Sequence, residues 1–289
     1  MIPSAFEYVA PTSLSDAIAF LSAHPDDAKL VAGGHSLIPL MKLRLAAPKY
    51  LVNVARIPGL AGIREANGAI EIGALTTHYE VESSAIVKER LPALAETAAL
   101  IGDVQVRNRG TIGGSFAHAD PAADYPALAL ALGAQIVAAG PKGQRSIKAA
   151  DFFVDLLTTS LQSDEVITQV RFPIPGARTG VAYQKFPHPA SRYAIVGVGA
   201  AVQLNADGTC ASAHIGITGA GPKAIQASQA EKGLTGSRLD DKALQAAGAA
   251  AADAIDPLGD IHASEEYRRH LVHEYTVRAL RTAIERAQR

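Results

Sequence analysis

Cysteine occurs once in 289 residues, at Cys210, so the chain forms no internal disulfide and cannot by itself build a thiolate-ligated zinc or iron–sulfur site. An excess of charge of either sign is also missing. The 27 Lys+Arg and 28 Asp+Glu leave a formal net charge of -1, and charged residues make up only 19% of the chain. Such a surface has no field to gather nucleic acid or anionic lipid nonspecifically. No apolar run reaches the ~20 residues of a membrane-spanning helix, and Met1 to Glu7 lacks the basic stretch and apolar core of a secretory signal. These two features predict a cytoplasmic protein. There is no internal repeat and no long charged tail. Neither G-x-G-x-x-G nor Gly-Lys-Ser/Thr occurs, so a generic nicotinamide or nucleoside-triphosphate site is not indicated. What remains is a globular composition, 48% hydrophobic, long enough for two or three packed subdomains.

The pattern divides the chain into three. Residues 1–55 read as strand, helix, strand, glycine turn, helix, strand, with Ser13 to Asp16 as a cap-like start for the first helix. Residues 56–175 open on a hairpin signal at Asn67-Gly68 and repeat it near Pro141 to Gly143, with a helix over 91–101 and a glycine- and alanine-rich loop between. A strand over 166–172 runs into Pro173 to Gly176, which cannot continue a ladder. Residues 176–289 begin with strands over 181–186, 194–204 and 210–218, the last two joined by Asp207-Gly208. Helices over 240–255 and 265–289 follow. They could pack on that sheet or face a partner, and periodicity does not decide which.

Two glycine pairs carry the functional argument. Ala32-Gly33-Gly34-His35-Ser36 follows a predicted strand and precedes a helix-compatible run. Glycine permits positive φ and close approach, so successive N–H groups can point at an anion, aided by the following helix. The second run is Arg109-Gly110-Thr111-Ile112-Gly113-Gly114-Ser115. Either pair alone reads equally as a tight turn or a close backbone contact. Together, two such cradles could close on the two anionic groups of a diphosphate. Downstream, Asp124 precedes Tyr125-Pro126 as a natural N-cap for a helix ending at Gly133, and its carboxylate could also accept sugar hydroxyls.

Ala32 to Leu37, then Arg107 to Ser115, then Asp120-Pro121 with Asp124, in that order, resemble the FAD-binding medium subunits of molybdenum hydroxylases of the xanthine dehydrogenase family. The nearest branch is that of the aerobic carbon monoxide dehydrogenases. The resemblance runs over essentially the whole chain, more loosely in the C-terminal part. It implies an α+β protein: a two-subdomain FAD-binding fold of the vanillyl-alcohol-oxidase type, then a domain of antiparallel strands and helices. It also implies that Ala32, Gly33, Gly34, His35, Ser36 and Leu37, with Thr111, Ile112, Gly113, Gly114 and Ser115, embrace the FAD diphosphate, and that Asp124 binds sugar hydroxyls. Lys185 matches a lysine near the cofactor, Tyr193 an aromatic beside the isoalloxazine, and Ile167 an apolar position near the flavin. Each also reads as an ordinary strand residue. Relatives often carry asparagine where this chain has Ser115, whose side chain reaches less far. Relatives acting on aromatic coenzyme A thioesters carry an extra iron–sulfur cluster in this subunit, which a lone Cys210 cannot hold.

The expected role is electron exit. A large molybdenum-cofactor subunit oxidises the substrate, a small subunit passes electrons through [2Fe–2S] clusters, and FAD in this chain delivers them to an external acceptor, within a dimer of heterotrimers. No residue here is assigned acid–base catalysis or metal ligation, and His35 reads as a structural turn histidine. Carbon monoxide is the leading substrate, with heteroaromatic compounds and aldehydes as alternatives. Two rivals stand beside this reading: an independent flavin oxidase or dehydrogenase, and a flavin-free scaffold subunit.

Overall fold

The computed structural model describes residues 2–289. Its first unit is a parallel three-stranded sheet in the order Glu7–Val9, Tyr50–Asn53, Ala28–Val31. Parallel neighbours need crossover connections, which the helices Leu14–Ala23 and Leu37–Lys42 supply. The first helix starts where the Ser13 hydroxyl accepts the Asp16 N–H at 3.1 Å. It buries Ala17 and Leu21, four residues apart on one face.

The second unit is an antiparallel five-stranded sheet in the order Ile63–Ala66, Ala69–Gly73, Val166–Pro173, Gln135–Gly140, Gly143–Lys148. Asn67 and Gly68 both have positive φ, 53° and 72°, as a type I′ hairpin requires. The late strand Val166–Pro173 inserts between the two hairpins and unites them. The segment expected as a glycine-rich loop after Ile101 folds differently, as the helices Val104–Arg107 and Ile112–His118. Glycine's poor helix propensity is overcome there because Thr111 caps the Gly114 N–H at 3.1 Å and the Gly113 N–H reaches the Ala74 carbonyl at 2.9 Å.

The third unit is an antiparallel sheet in the order Thr179–Pro187, Ala194–Leu204, Cys210–Thr218, Ile225–Gln226. Val196, Val198, Ala200 and Val202 share a core with Leu271, Val272 and Leu280 of the C-terminal helix Glu265–Ala287. That helix therefore packs on its own sheet. Alternate positions of the sheet meet the helix Tyr125–Leu132 instead, where a Cβ on Gly199 would lie 2.8 Å from the Ala127 carbonyl. Burial on both faces explains why the strand Ala194–Leu204 is an almost unbroken apolar run.

Candidate functional site

The strand Ala28–Val31 ends at the first glycine pair, and Gly34 there takes φ 76°. A Cβ on Gly33 would collide with the Arg109 carbonyl and come within 2.9 Å of the Gly110 Cα. The two glycine segments, far apart in sequence, therefore abut backbone to backbone. Among the described residues, no protein acceptor meets the backbone N–H of Gly33, Gly34, His35, Ser36 or Leu37. Five successive free donors around a left-handed residue form a concave nest suited to an anion. The exposed His35 ring lies across the gap, its Nε2 3.4 Å from the Gln105 carbonyl.

The second segment differs from the expected cradle. The N–H groups of Ile112, Gly113 and Ser115 go to the carbonyls of Thr76, Ala74 and Thr111, and that of Gly114 to the Thr111 hydroxyl. Thr111 to Ser115 thus forms a close-packed wall in which the amides of Ile112 to Ser115 are already paired. Gly113 is packed against Ala74, where a Cβ would lie 2.5 Å from the Ala74 Cβ. Arg107 anchors the approach to this wall, giving its Nε to Glu82 at 2.7 Å and its Nη1 to the Ile101 carbonyl at 3.1 Å.

Asp124 occupies the N-cap position of the helix Tyr125–Leu132, yet its side chain makes no cap bond. This corrects the local reading. Its Oδ1 accepts the Tyr183 hydroxyl at 2.6 Å and lies 2.8 Å from Lys185 Nζ, which also reaches Oδ2 at 3.0 Å. A buried carboxylate gains more from a cation and a phenol than from one amide. Burial pushes the Asp124 carboxyl up and the Lys185 amine down, and the opposite charge of the partner opposes both shifts. Lys185 also donates to the Leu100 carbonyl at 3.0 Å, tying the C-terminal sheet to the end of the helix Pro92–Ala99.

Tyr193 is 43% exposed and has the Ser36 hydroxyl and the Asp120 carboxylate as neighbours. Burial of its hydroxyl end raises that phenol, the Asp120 charge adding to the effect. Tyr193, the first glycine turn and the Asp120 to Asp124 segment therefore converge. Ile167 is 6% exposed, pairs with Ala138 in the five-stranded sheet and shares a hydrophobic core with Ile112 and Ala74 behind the second glycine segment.

Two further residues that the sequence motifs do not mark adjoin these segments, Tyr183 at Asp124 and His78 at Gly110. Tyr183 precedes Lys185 by two and so shares its strand face, a period-two signal that could have linked them. His78, 5% exposed, lies beneath Gly110, where a Cβ would come within 2.7 Å of its Nε2. Burial and the nearby His35 and Arg107 charges lower its pKa to about 4. No local pattern marks His78, because its surroundings come from distant segments.

Two family models match the chain: the FAD binding domain in molybdopterin dehydrogenase over residues 4–175, and the CO dehydrogenase flavoprotein C-terminal domain over residues 181–283. The chain is 42% identical over 283 residues to the carbon monoxide dehydrogenase medium chain of Hydrogenophaga pseudoflava, covering 98% of each. It is 39% identical over 288 residues to the 6-hydroxypseudooxynicotine dehydrogenase complex subunit alpha of Paenarthrobacter nicotinovorans, covering 100% of this chain and 97% of that one. Its fold superposes with a TM-score of 0.96, at 43% identity and 99% coverage of each chain, on carbon monoxide dehydrogenase from Hydrogenophaga pseudoflava lacking the Mo-pyranopterin moiety of the molybdenum cofactor.

Proposed function

This chain belongs to the flavin subunits of the molybdopterin dehydrogenases, as a FAD-binding oxidoreductase subunit, and from that membership we propose that it is the electron exit of its complex. The observation that carries the proposal is the meeting of the two glycine segments at Gly33 and Arg109 beside five unpaired amides. Those donors fit a diphosphate without a cationic side chain.

In this reading the N–H groups of Gly33 to Leu37, entered through Ala32, hold the diphosphate. Thr111 to Ser115 form the wall that lets the cofactor approach closely, and Ser115 adds a hydroxyl. Tyr193 covers the isoalloxazine. Lys185 and Asp124 neutralise one another, so their part is to fix the helix Tyr125–Leu132 and the sheet around the cofactor, with any sugar contact by Asp124 sharing a carboxylate already bonded twice. Ile167 backs the site from within the core. Bound FAD supplies an acceptor that takes electrons singly and releases them in pairs, the exchange needed between one-electron iron–sulfur clusters and a two-electron acceptor.

The partners proposed are a large subunit with the molybdenum cofactor and a small [2Fe–2S] subunit, in a dimer of heterotrimers. The chain divides at about residues 55 and 175 into two FAD-binding subdomains and a C-terminal domain. Among the described residues no helix is long and apolar enough to cross a membrane, and the working assignment is cytoplasmic. The reaction proposed for the complex is oxidation of carbon monoxide to carbon dioxide, supported by the 42% identity to a carbon monoxide dehydrogenase medium chain. The 39% identity to a subunit of a 6-hydroxypseudooxynicotine dehydrogenase complex favours a heteroaromatic substrate as the second reading. The test is anaerobic addition of each substrate to the purified complex. Bleaching of flavin absorption by carbon monoxide alone is expected; bleaching only by a pyridine-type substrate would overturn the carbon monoxide assignment.

A further inference from the structure

The strand Thr179–Pro187 turns back into Ala194–Leu204 through residues 188–193. The backbone closes this turn twice, the His188 N–H reaching the Tyr193 carbonyl at 2.8 Å and the Arg192 N–H the His188 carbonyl at 2.9 Å. Two side chains, His188 and Ser191, hold its interior. His188 Nδ1 accepts the N–H of Ala190 at 3.2 Å and of Ser191 at 3.0 Å, and lies 3.1 Å from the Ser191 hydroxyl. That same hydroxyl oxygen accepts the Tyr193 N–H at 3.3 Å. Two amide donors on Nδ1 assign the ring proton to Nε2.

Nε2 has a partner as well, His262 Nδ1 at 3.2 Å, the rings standing nearly perpendicular at 79°. His262 is itself fixed. Asp260 Oδ1 accepts the N–H of His262 and Ala263 at 2.8 and 2.9 Å, and Asp260 Oδ2 takes the Arg268 guanidinium at 2.6 Å. Arg268 then donates to the carbonyls of Ile195 and Gly219 at 2.7 and 2.6 Å. The chain of bonds returns to Ile195, two residues beyond Tyr193. It is a closed circuit between the C-terminal helix and the turn that carries Tyr193.

We propose that His188, oriented by His262, is the positioning residue that holds Tyr193 against the Gly33–Ser36 turn and so sets how the tyrosine packs on the flavin. The inference rests on the flavin reading above. His188 makes no hydrogen bond to the Gly33–Ser36 turn; it acts through the Ala190 and Ser191 amides and the Ser191 hydroxyl. Asparagine can place Oδ1 where Nδ1 sits and so keep those amides satisfied, whereas phenylalanine fills the space with no acceptor.

The test compares native, His188→Phe, His188→Asn, His262→Phe and Tyr193→Ala chains, each in the complex assembled with its partners. Flavin content, flavin fluorescence and amide exchange over residues 189–193 are read. Loss of two amide bonds in His188→Phe is expected to speed exchange at Ala190 and Ser191 roughly tenfold and to relieve flavin quenching towards the Tyr193→Ala value, with flavin content retained. His188→Asn restores exchange to within about twofold of native, and His262→Phe lies between. Should His188→Phe fail to assemble, His188→Asn and His262→Phe still decide, since unchanged exchange and quenching in His262→Phe together with lost quenching in His188→Asn would contradict the positioning role. Native quenching and exchange in His188→Phe, beside an unquenched Tyr193→Ala, would overturn this inference and leave the flavin reading intact. A native complex without FAD would overturn the flavin reading, and native quenching in Tyr193→Ala would remove Tyr193 from the flavin face.

Discussion

Lys185 Nζ lies 2.8 Å from Asp124 Oδ1, in an ion pair whose side chains are 2% and 5% exposed. It joins a strand of the C-terminal sheet to the start of the helix Tyr125–Leu132, next to the two glycine segments. Breaking one half of such a pair costs more than removing both, because a lone buried charge has nothing to offset its desolvation. Lys185→Met is expected to lose about 3–5 kcal/mol of stability, and the Asp124→Asn, Lys185→Met double variant less than that. Urea denaturation of the three chains gives the comparison; a double variant worse than Lys185→Met would count against an isolated buried pair.

His78 predicts an acid sensitivity. Its folded pKa of about 4 lies below the ordinary 6.5, so between these values the unfolded chain binds more protons. Stability present above pH 6.5 is then lost as the pH falls towards 4, by about 3 kcal/mol from this group alone. His78→Gln removes the titration, and the stability difference between pH 7 and pH 4.5 should shrink by most of that amount. Equal pH dependence in the two chains would show that His78 is not desolvated.

Gly33→Ala places a methyl group in the Arg109 carbonyl. The glycine segments must separate, at a cost of about 1–3 kcal/mol, and the FAD dissociation constant of the variant should rise roughly 5- to 150-fold. Gly176→Ala is the control, since nothing lies within 4 Å of a Cβ there. A native dissociation constant in Gly33→Ala would separate the glycine contact from cofactor binding.

Local chemistry made much of the fold legible. Asn67-Gly68 and Asp207-Gly208 each join two consecutive strands, Ser13 caps the first helix, and the apolar run from Ala194 marks a strand buried on both faces. What the sequence left open depended on distant partners. Asp124 carries a strong local cap signal, but Lys185, 61 residues on, takes its carboxylate. Gly113 and Gly114 suggest a loop, yet Thr111 and Ala74 hold them in a helix. The two glycine motifs look alike, and only the acceptors brought by Ala74 and Thr76 leave one with paired amides and the other free.

The most direct test is to purify the chain from its native cell with whatever binds it, and to identify polypeptides by mass spectrometry and cofactors by visible absorption. The expected result is FAD, about one per chain by the single site described, together with a molybdenum-cofactor subunit and a [2Fe–2S] subunit. A flavin-loaded chain that turns over substrate without partners, or a folded chain that neither carries nor accepts FAD, would contradict the electron-exit role.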